Sequence, residues 1–384
     1  MNYEGKPDAR RFWNQKTLRL QPYTPGEQPR GQRFIKLNTN ENPYPPSPAV
    51  AEALKNYDPD RLRLYPDPTG LVFRQAIAEY YELSVDQVFA GNGSDEVLAM
   101  AFQAFFESGP KSASPRDESD PACISADPSQ MIVFPDVTYS FYPVFARMYD
   151  IPCRTIMLNE DFTLPMEACK APSAGLVLAN PNAPTGMAIT QRELSELADS
   201  DPDRLILVDE AYVDFGAESA VPLLAGHDNL LVIQTCSKSR SLAGMRLGFA
   251  IGAPPLITAL EHIRDSFNSY TLDSLAQAAG AAAFHAGAWF EETRAKIIRT
   301  RTRMAAGLRQ MGFDVLPSSA NFLLVRHPAW SGQALYEQLR QSGILVRHFS
   351  LPRITDYLRI TVGTDEDVDN LFHVLDRMLM SCHT

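Results

Sequence analysis

Five short apolar runs in this chain are each followed at once by residues able to do chemistry. After Leu205–Val208 come Asp209, Glu210, Ala211 and Tyr212. A carboxylate at the end of a buried run is costly unless a cation meets it, and Tyr212 can present a phenol to the same space. The plainer reading is a cap for the next helix. After Leu230–Ile233 come Gln234, Thr235, Cys236, Ser237, Lys238, Ser239 and Arg240, with Arg246 eight residues beyond the lysine. Desolvation at a strand end favours the neutral, nucleophilic amine, and such amines form Schiff bases with carbonyls; alone, Lys238 reads equally as a surface-loop lysine. After Val88–Ala90 the stretch Gly91-Asn92-Gly93-Ser94-Asp95-Glu96 places small residues before a helix start. Backbone N–H groups exposed there suit a phosphate. Glu96 breaks the Gly-x-Gly-x-x-Gly spacing and no Gly-Lys-Ser/Thr follows, which disfavours dinucleotide and P-loop readings. After Gly175–Ala179 the turn Asn180-Pro181-Asn182-Ala183-Pro184-Thr185-Gly186 can hold an amide rigidly, or be an ordinary proline turn. After Met131–Phe134 the run from Pro135 to Tyr142 carries Tyr139, an aromatic that can stack on a flat ring or join the core.

These endings have one meaning if the runs are strands. Each run is short and continuous, and helical patterns separate most of them. That is how strands of a largely parallel sheet read when both faces are covered, and ligands bind such sheets just beyond the C-terminal strand ends. A helix is expected from Ser94, with Val97, Leu98, Ala101, Phe102 and Phe105 on its apolar side. A long helical region runs from about Asp273 to Gly312. The tail then alternates: strand Asn321–Val325, helix Gln333–Ser342, strand Ile344–Arg347, strand Leu358–Val362, helix Asp365–Met380. This order predicts an α/β protein with a second, smaller α+β unit. Residues 1–35 read as an arm. Residues 108–130 are nearly free of apolar side chains and read as a surface excursion.

Composition narrows the function. The 384 residues suffice for two domains and a large core. The net charge of −11 gives no footprint for nucleic acid or an anionic membrane. No run approaches the ~20 apolar residues of a membrane span, and the first residues lack a signal-peptide apolar core. The five cysteines (Cys123, Cys153, Cys169, Cys236, Cys382) are scattered with no Cys-x-x-Cys. Neither a disulfide framework nor a metal site is expected, and a cytoplasmic location fits.

Taken together the strand ends supply a lysine for a Schiff base, an acid for a ring nitrogen, a phenol and an amide for a ring oxygen, an aromatic to stack, and a phosphate cup with Ser237 and Arg246. Pyridoxal phosphate requires that inventory, because its electron-sink chemistry needs a ring nitrogen kept protonated by a carboxylate.

At this point the residues resemble a known family. Asn-Pro-Asn-Ala-Pro-Thr-Gly, Val-Asp-Glu-Ala-Tyr and Ser-Lys-(x7)-Arg-Leu-Gly, in this order, are similar to the motifs of fold-type I aminotransferases of classes I and II. Pro22-Tyr23-Thr24-Pro25-Gly26, Leu37-Asn38-Thr39-Asn40-Glu41-Asn42-Pro43, Leu64-Tyr65-Pro66-Asp67, Gly343-Ile344-Leu345-Val346-Arg347 and Leu358-Arg359-Ile360-Thr361-Val362-Gly363-Thr364 resemble its histidinol-phosphate branch. The resemblance spans about residues 18–380. It implies a large cofactor domain over 65–269 and a small domain from both chain ends, 36–64 and 270–384.

The resemblance also implies roles. Lys238 would hold pyridoxal 5'-phosphate covalently and act as the catalytic base and acid. Asp209 would pair with the ring nitrogen, Tyr212 with the ring hydroxyl, and Tyr139 would stack. Backbone groups of Ser94 and Asp95, with Ser237 and Arg246, would hold the phosphate. Tyr65 would reach the neighbouring subunit's cofactor in a homodimer with shared sites. Arg359 would clamp an α-carboxylate with its planar fork, Arg347 would meet the substrate's acidic tail, and Asn42 would line the same pocket. The family has Asn where this chain has Ala183. Either Asn182 takes over the contact to the ring oxygen, or Tyr212 carries it alone. The expected reaction moves an amino group from L-histidinol phosphate to 2-oxoglutarate, giving imidazole-acetol phosphate and glutamate by ping-pong kinetics. Rivals are an aminotransferase for aromatic or other amino acids and a decarboxylase of a phosphorylated amino acid. A nicotinamide dehydrogenase and a silent binding protein are disfavoured.

Overall fold

The computed structural model describes residues 9–23, 26–28, 34–109 and 127–380. Thr24 and Pro25, Cys123, Cys382 and residues 110–126 of the 108–130 excursion lie outside the described residues. Strands are numbered in chain order: β1 Ile35–Lys36, β2 Val88–Gly91, β3 Ile132–Pro135, β4 Cys153–Ile156, β5 Gly175–Ala179, β6 Ile206–Asp209, β7 Leu230–Thr235, β8 Gly248–Gly252, β9 Asp314–Val315, β10 Phe322–Arg326, β11 Ile344–Leu345, β12 Arg347–His348 and β13 Leu358–Thr361.

A seven-stranded sheet of order β2-β8-β7-β6-β5-β3-β4 forms the centre. β3, β4, β5, β6 and β7 pair in parallel, and β8 runs antiparallel to both its neighbours. Because side chains alternate along a strand, each continuous apolar run feeds both faces. Leu176, Leu178, Ile206, Val208, Leu230 and Val232 enter one core, while Val177, Leu207, Leu231 and Ile233 enter the other. Helices Leu71–Tyr81, Gln191–Ser200 and Ser274–His285 cover the first face. Helices Ser94–Phe105, Tyr142–Met148 and Pro254–Phe267 cover the second. Burying a Leu, Val or Ile side chain is worth about 1.5–3 kcal/mol, so a one-residue slip of register, which would leave the pattern unchanged in composition, is opposed by the backbone pairing and by shape.

The chain's tail builds a four-stranded antiparallel sheet, β12-β13-β10-β9, beside the two-stranded pair β1-β11. Its core combines Ile297, Met304 and Leu308 from helix Gly287–Gln310 with Leu335, Leu339, Leu371 and Leu375. Three details differ from the sequence reading. β4 and β8 had no strand signal of their own: Cys-Arg-Thr-Ile is a half-exposed edge, and β8 begins and ends in glycine. The run Ile344–Arg347 is not one strand, since Ile344–Leu345 pairs with β1 and Arg347–His348 with β13. The helical stretch after Asp273 is two helices, Ser274–His285 and Gly287–Gln310, and the first packs Ala276, Ala279 and Phe284 into the large sheet's core, as does Val50. Small alanine-rich surfaces let that helix sit close against its neighbours, so its packing follows the large sheet although the sequence division put it in the small domain.

Candidate active site

The C-terminal ends of β5, β6 and β7 and the turn after β2 converge on one pocket. It encloses about 810 Å³ of empty space, its solvent-facing part included, within the range of small-molecule sites. Ser94, Asp95, Tyr139, Asp209, Tyr212, Ser237, Lys238, Arg246 and Arg359 all line it. Residues from positions 94 to 359 therefore meet although no local signal links them.

Asp209 is the last residue of β6 and is buried. Tyr142 Oη donates to Asp209 Oδ2 at 2.9 Å, and the Ala211 backbone N–H donates to Oδ1 at 3.1 Å. Burial pushes the Asp209 carboxyl up to about 6 despite these bonds, because desolvation disfavours the charged form. A cation placed beside it would reverse that. Lys238 follows β7, and its Nζ donates to the Thr39 carbonyl at 3.2 Å and lies 5.8 Å from the Tyr212 ring centroid. Its surroundings are thus more polar than a bare strand end.

The far end of the pocket is cationic and rich in backbone N–H groups. Helix Ser94–Phe105 starts one residue after Gly93, which takes the cap position with φ 87°. A Cβ on Gly93 would come within 2.6 Å of Arg246 Nη2, so only glycine lets this guanidinium lie against the turn. Gly248 on β8 is equally constrained: a Cβ there would sit 2.2 Å from the Ser94 nitrogen. The first-turn N–H groups lack intrahelical acceptors and carry the positive end of the helix dipole. Thr235 Oγ1 donates to the Leu247 carbonyl at 3.0 Å and lies 2.9 Å from Ser237 Oγ, and both residues line the pocket. Arg246 lies 3.5 Å from Asp95, and Tyr139 Oη donates to Asp95 Oδ1 at 2.7 Å, pinning the Tyr139 ring at the pocket wall.

At the mouth, β12 and β13 set Arg347 opposite Arg359. Both guanidinium carbons lie 5.6 Å from the Phe349 ring centroid. Arg359 Nη2 donates to the Asn38 carbonyl at 3.0 Å. Burial and the charge of Arg347 both lower the Arg359 pKa, so the pair is a place where an anion is favoured.

Four expected residues do not line this chain's pocket, and of these Tyr65 is the one expected to serve the partner's site instead. Asn182 is turned away from the pocket: its Nδ2 donates to the Val137 carbonyl and to Thr185 Oγ1, both at 2.9 Å, and its Oδ1 accepts from Thr138 at 2.8 Å. Its amide is consumed in holding the turn, and Ala183 faces the pocket instead. Asn42 does not line the pocket either. Its Nδ2 donates to the carbonyls of Lys238 at 3.1 Å and Ser239 at 3.0 Å, bracing the lysine's backbone. Arg347 borders the pocket next to Arg359 without lining it. Tyr65 lies on the surface, 82% exposed and stacked on Tyr270 at 4.6 Å.

Sequence reading missed Tyr142, Thr235 and Asn40 as parts of the site. Tyr142 stands three residues after Tyr139, one helical turn along. Thr235 stands two before Ser237. Tyr23, Asn38 and Thr39 also line the pocket, and their place in quoted motifs was the available signal. The residues present fit a flat, phosphate-bearing aldehyde: an amine, a buried acid in no ion pair among the described residues, and, besides Arg359, a helix start flanked by Arg246 that can hold an anion. Asp209→Asn and Arg246→Ala would test the two ends separately.

Comparison with known proteins agrees. The family model "Aminotransferase class I and II" matches residues 32–375. Histidinol-phosphate aminotransferase 1 of Bradyrhizobium diazoefficiens is 52% identical over 369 residues, covering 96% of this chain and 99% of that protein. Histidinol-phosphate aminotransferase of Chromohalobacter salexigens is 47% identical, covering 95% and 98%. The crystal structure of histidinol-phosphate aminotransferase from Sinorhizobium meliloti, in complex with pyridoxal-5'-phosphate, superposes with a TM-score of 0.79 at 22% identity, covering 92% of this chain and 93% of that one, and so shares the fold.

Proposed function

This chain belongs to the class I and II aminotransferases, and from that premise we propose that it transfers the amino group of L-histidinol phosphate to 2-oxoglutarate, using pyridoxal 5'-phosphate. What carries the reading is the sharing of one pocket by the Lys238 amine, the buried Asp209 carboxyl and the Arg246-capped helix start. The cofactor supplies a carbonyl for amine exchange and a ring that withdraws electrons. Asp209 would hold the ring nitrogen protonated, with Tyr142 keeping the carboxylate oriented. Ser94 and Asp95 backbone groups, Ser237 and Arg246 would hold the phosphate. Tyr139 would cover the ring, and Tyr212 would donate to its hydroxyl oxygen. Lys238 Nζ, displaced by the substrate amine, would carry the proton from the substrate carbon that bears the amine to the cofactor's aldehyde carbon, and in the reverse direction in the second half-reaction.

Histidinol phosphate has no α-carboxylate. Its anion is a phosphate ester one carbon further out, whereas 2-oxoglutarate and glutamate carry carboxylates at both ends. Two arginines at neighbouring register positions suit such a change of anion. Arg359 would meet the anion nearest the reacting carbon, and Arg347 the more distant charge. Asn42 would act through the lysine's backbone. The thiols of Cys169 and Cys236 are in no disulfide, which supports a reducing, cytoplasmic setting, and among the described residues no helix is long and apolar enough to cross a membrane.

Homodimerisation belongs to the same proposal. Leu64 and Tyr65 border one surface hollow and Tyr65 stacks on Tyr270, all three exposed; clustered exposed apolar side chains of this kind mark interaction surfaces. In that assembly Tyr65 would complete the partner's phosphate site.

Two measurements test the reading. Lys238→Ala should lose the covalent cofactor absorption and at least a thousandfold in turnover; full activity in that variant refutes it. A donor panel with 2-oxoglutarate should rank histidinol phosphate above phenylalanine, tyrosine and threonine phosphate. Arg347→Ala should raise KM for 2-oxoglutarate, which carries the more distant charge, more than for histidinol phosphate, whereas Arg359→Ala should raise it for both; equal losses in the two variants would refute that division.

A further inference from the structure

We propose that Asn40 is a positioning residue that aims the Tyr212 phenol, standing in for the amide that position 183 lacks. The inference rests on the cofactor reading above. Its basis is a chain of three hydrogen bonds. The Asn40 backbone N–H donates to Thr361 Oγ1 at 3.0 Å, the Thr361 hydroxyl donates to Asn40 Oδ1 at 3.0 Å, and Asn40 Nδ2 donates to Tyr212 Oη at 3.0 Å. Asn40 and Thr361 are 1% and 2% exposed, so water does not compete. Turning the amide over would strip the Thr361 hydroxyl hydrogen of this acceptor, a costly loss in a buried site. The network therefore settles which end of the amide faces the phenol.

That orientation has a chemical consequence. Tyr212 Oη receives a hydrogen bond, which leaves its own hydrogen for a second acceptor in the pocket. An acceptor at position 40 would instead claim that hydrogen. Donation into Oη also strengthens the phenol as a donor, because hydrogen bonds in series polarise one another. The ring cannot swing away: it packs edge-on against Phe322, with centroids 5.0 Å apart and planes at 90°. Asn40 itself is fixed at φ 56°, a left-handed conformation that Asn tolerates, and its carbonyl accepts from Asn321 Nδ2 at 3.0 Å. Meanwhile Ala183 offers no polar group to the pocket, and the Asn182 amide is committed to Val137 and Thr185. The donor function toward the ring oxygen thus falls to Tyr212, and its aim to Asn40.

The test uses the cofactor-loaded dimer and reads the pH midpoint of the bound cofactor's visible absorption, beside turnover. A weaker donor to the ring oxygen leaves more negative charge there, which holds the neighbouring proton more tightly. Asn40→Gly, which keeps the backbone conformation accessible, should raise the midpoint by about half a unit to one unit, a three- to tenfold change in proton affinity. Tyr212→Phe should raise it further. Adding Asn40→Gly to Tyr212→Phe should change nothing more, and Ala183→Asn should restore the midpoint in the Asn40→Gly protein. An unchanged midpoint in Asn40→Gly overturns the proposal, and so does an equal shift with and without the Tyr212 hydroxyl. Thr361→Val, which removes the hydroxyl orienting the amide, gives the same comparison if Asn40→Gly does not fold. A wild-type chain that takes up no cofactor overturns both this inference and the reading beneath it, whereas a loaded, active wild type with an unmoved variant overturns this one alone.

Discussion

Asp209 shows how a single side chain ties this site to pH. Its carboxyl titrates near 6 in the folded chain, above the ordinary 3.8, because burial outweighs the bonds from Tyr142 and Ala211. The sign follows for the cofactor-free protein: the contribution to stability is complete below about pH 4 and is lost as pH rises through 6, since there the native state binds the extra proton. Cofactor binding runs the other way. The cationic ring needs the carboxylate, so affinity should fall as pH drops below 6, by up to about tenfold per unit. Asp209→Asn should weaken binding and flatten both dependences; thermal melts and cofactor titrations between pH 4 and 8 measure them. An unaltered slope in the variant would show that another group titrates.

Between residue and fold stands the junction of β8 with helix Ser94–Phe105. Its closeness is a backbone-to-backbone contact, since a Cβ on Gly248 would lie 2.2 Å from the Ser94 nitrogen. No rotamer change relieves such a clash, and overpacking of this kind costs about 1–3 kcal/mol. Gly248→Ala should therefore fold, but displace the helix-start amides proposed to hold the phosphate and reduce cofactor affinity by roughly tenfold or more. The thermal stabilisation produced by added cofactor should shrink accordingly. Glu210 is the neighbouring counter-example. It is buried, pushed up to about 7 by desolvation, and bonded to Ser219, Ala220 and Gln234, so it braces the turn after β6 without lining the pocket.

On the scale of the whole molecule, the two sheets are joined across the site. Arg353 of the small sheet's loop pairs with Asp136 after β3 at 2.8 Å and donates to the Asn159 carbonyl at 2.7 Å, while Leu324 and Ile354 pack with Val137, Leu158 and Phe162. This contact fixes the arginine-bearing strands against the lysine-bearing ones. Arg353→Ala should raise KM for both substrates more than it lowers kcat. Leu64→Asp should split the proposed dimer, seen as a halved mass by sedimentation, and depress activity through loss of Tyr65 from the partner's site. The strand runs, the lysine and acid at their ends, and the glycine turn before a helix were legible in the sequence because each is local: burial on both faces writes a continuous apolar run, and a strand end writes its ligand residues next in line. What was not legible depended on packing between distant segments. Whether Asn182 or Ala183 faces the pocket turned on where one amide found acceptors. That Tyr142 steadies Asp209, that Asn40 meets Tyr212 and that Asn42 braces a backbone required segments 67, 172 and 196 residues apart in sequence to be brought within hydrogen-bond reach. Residue types and order determined which chemistry is present; only the tertiary structure decided which donor faces which acceptor, because a hydrogen bond depends on direction and ångström-scale distance that no spacing along the chain encodes.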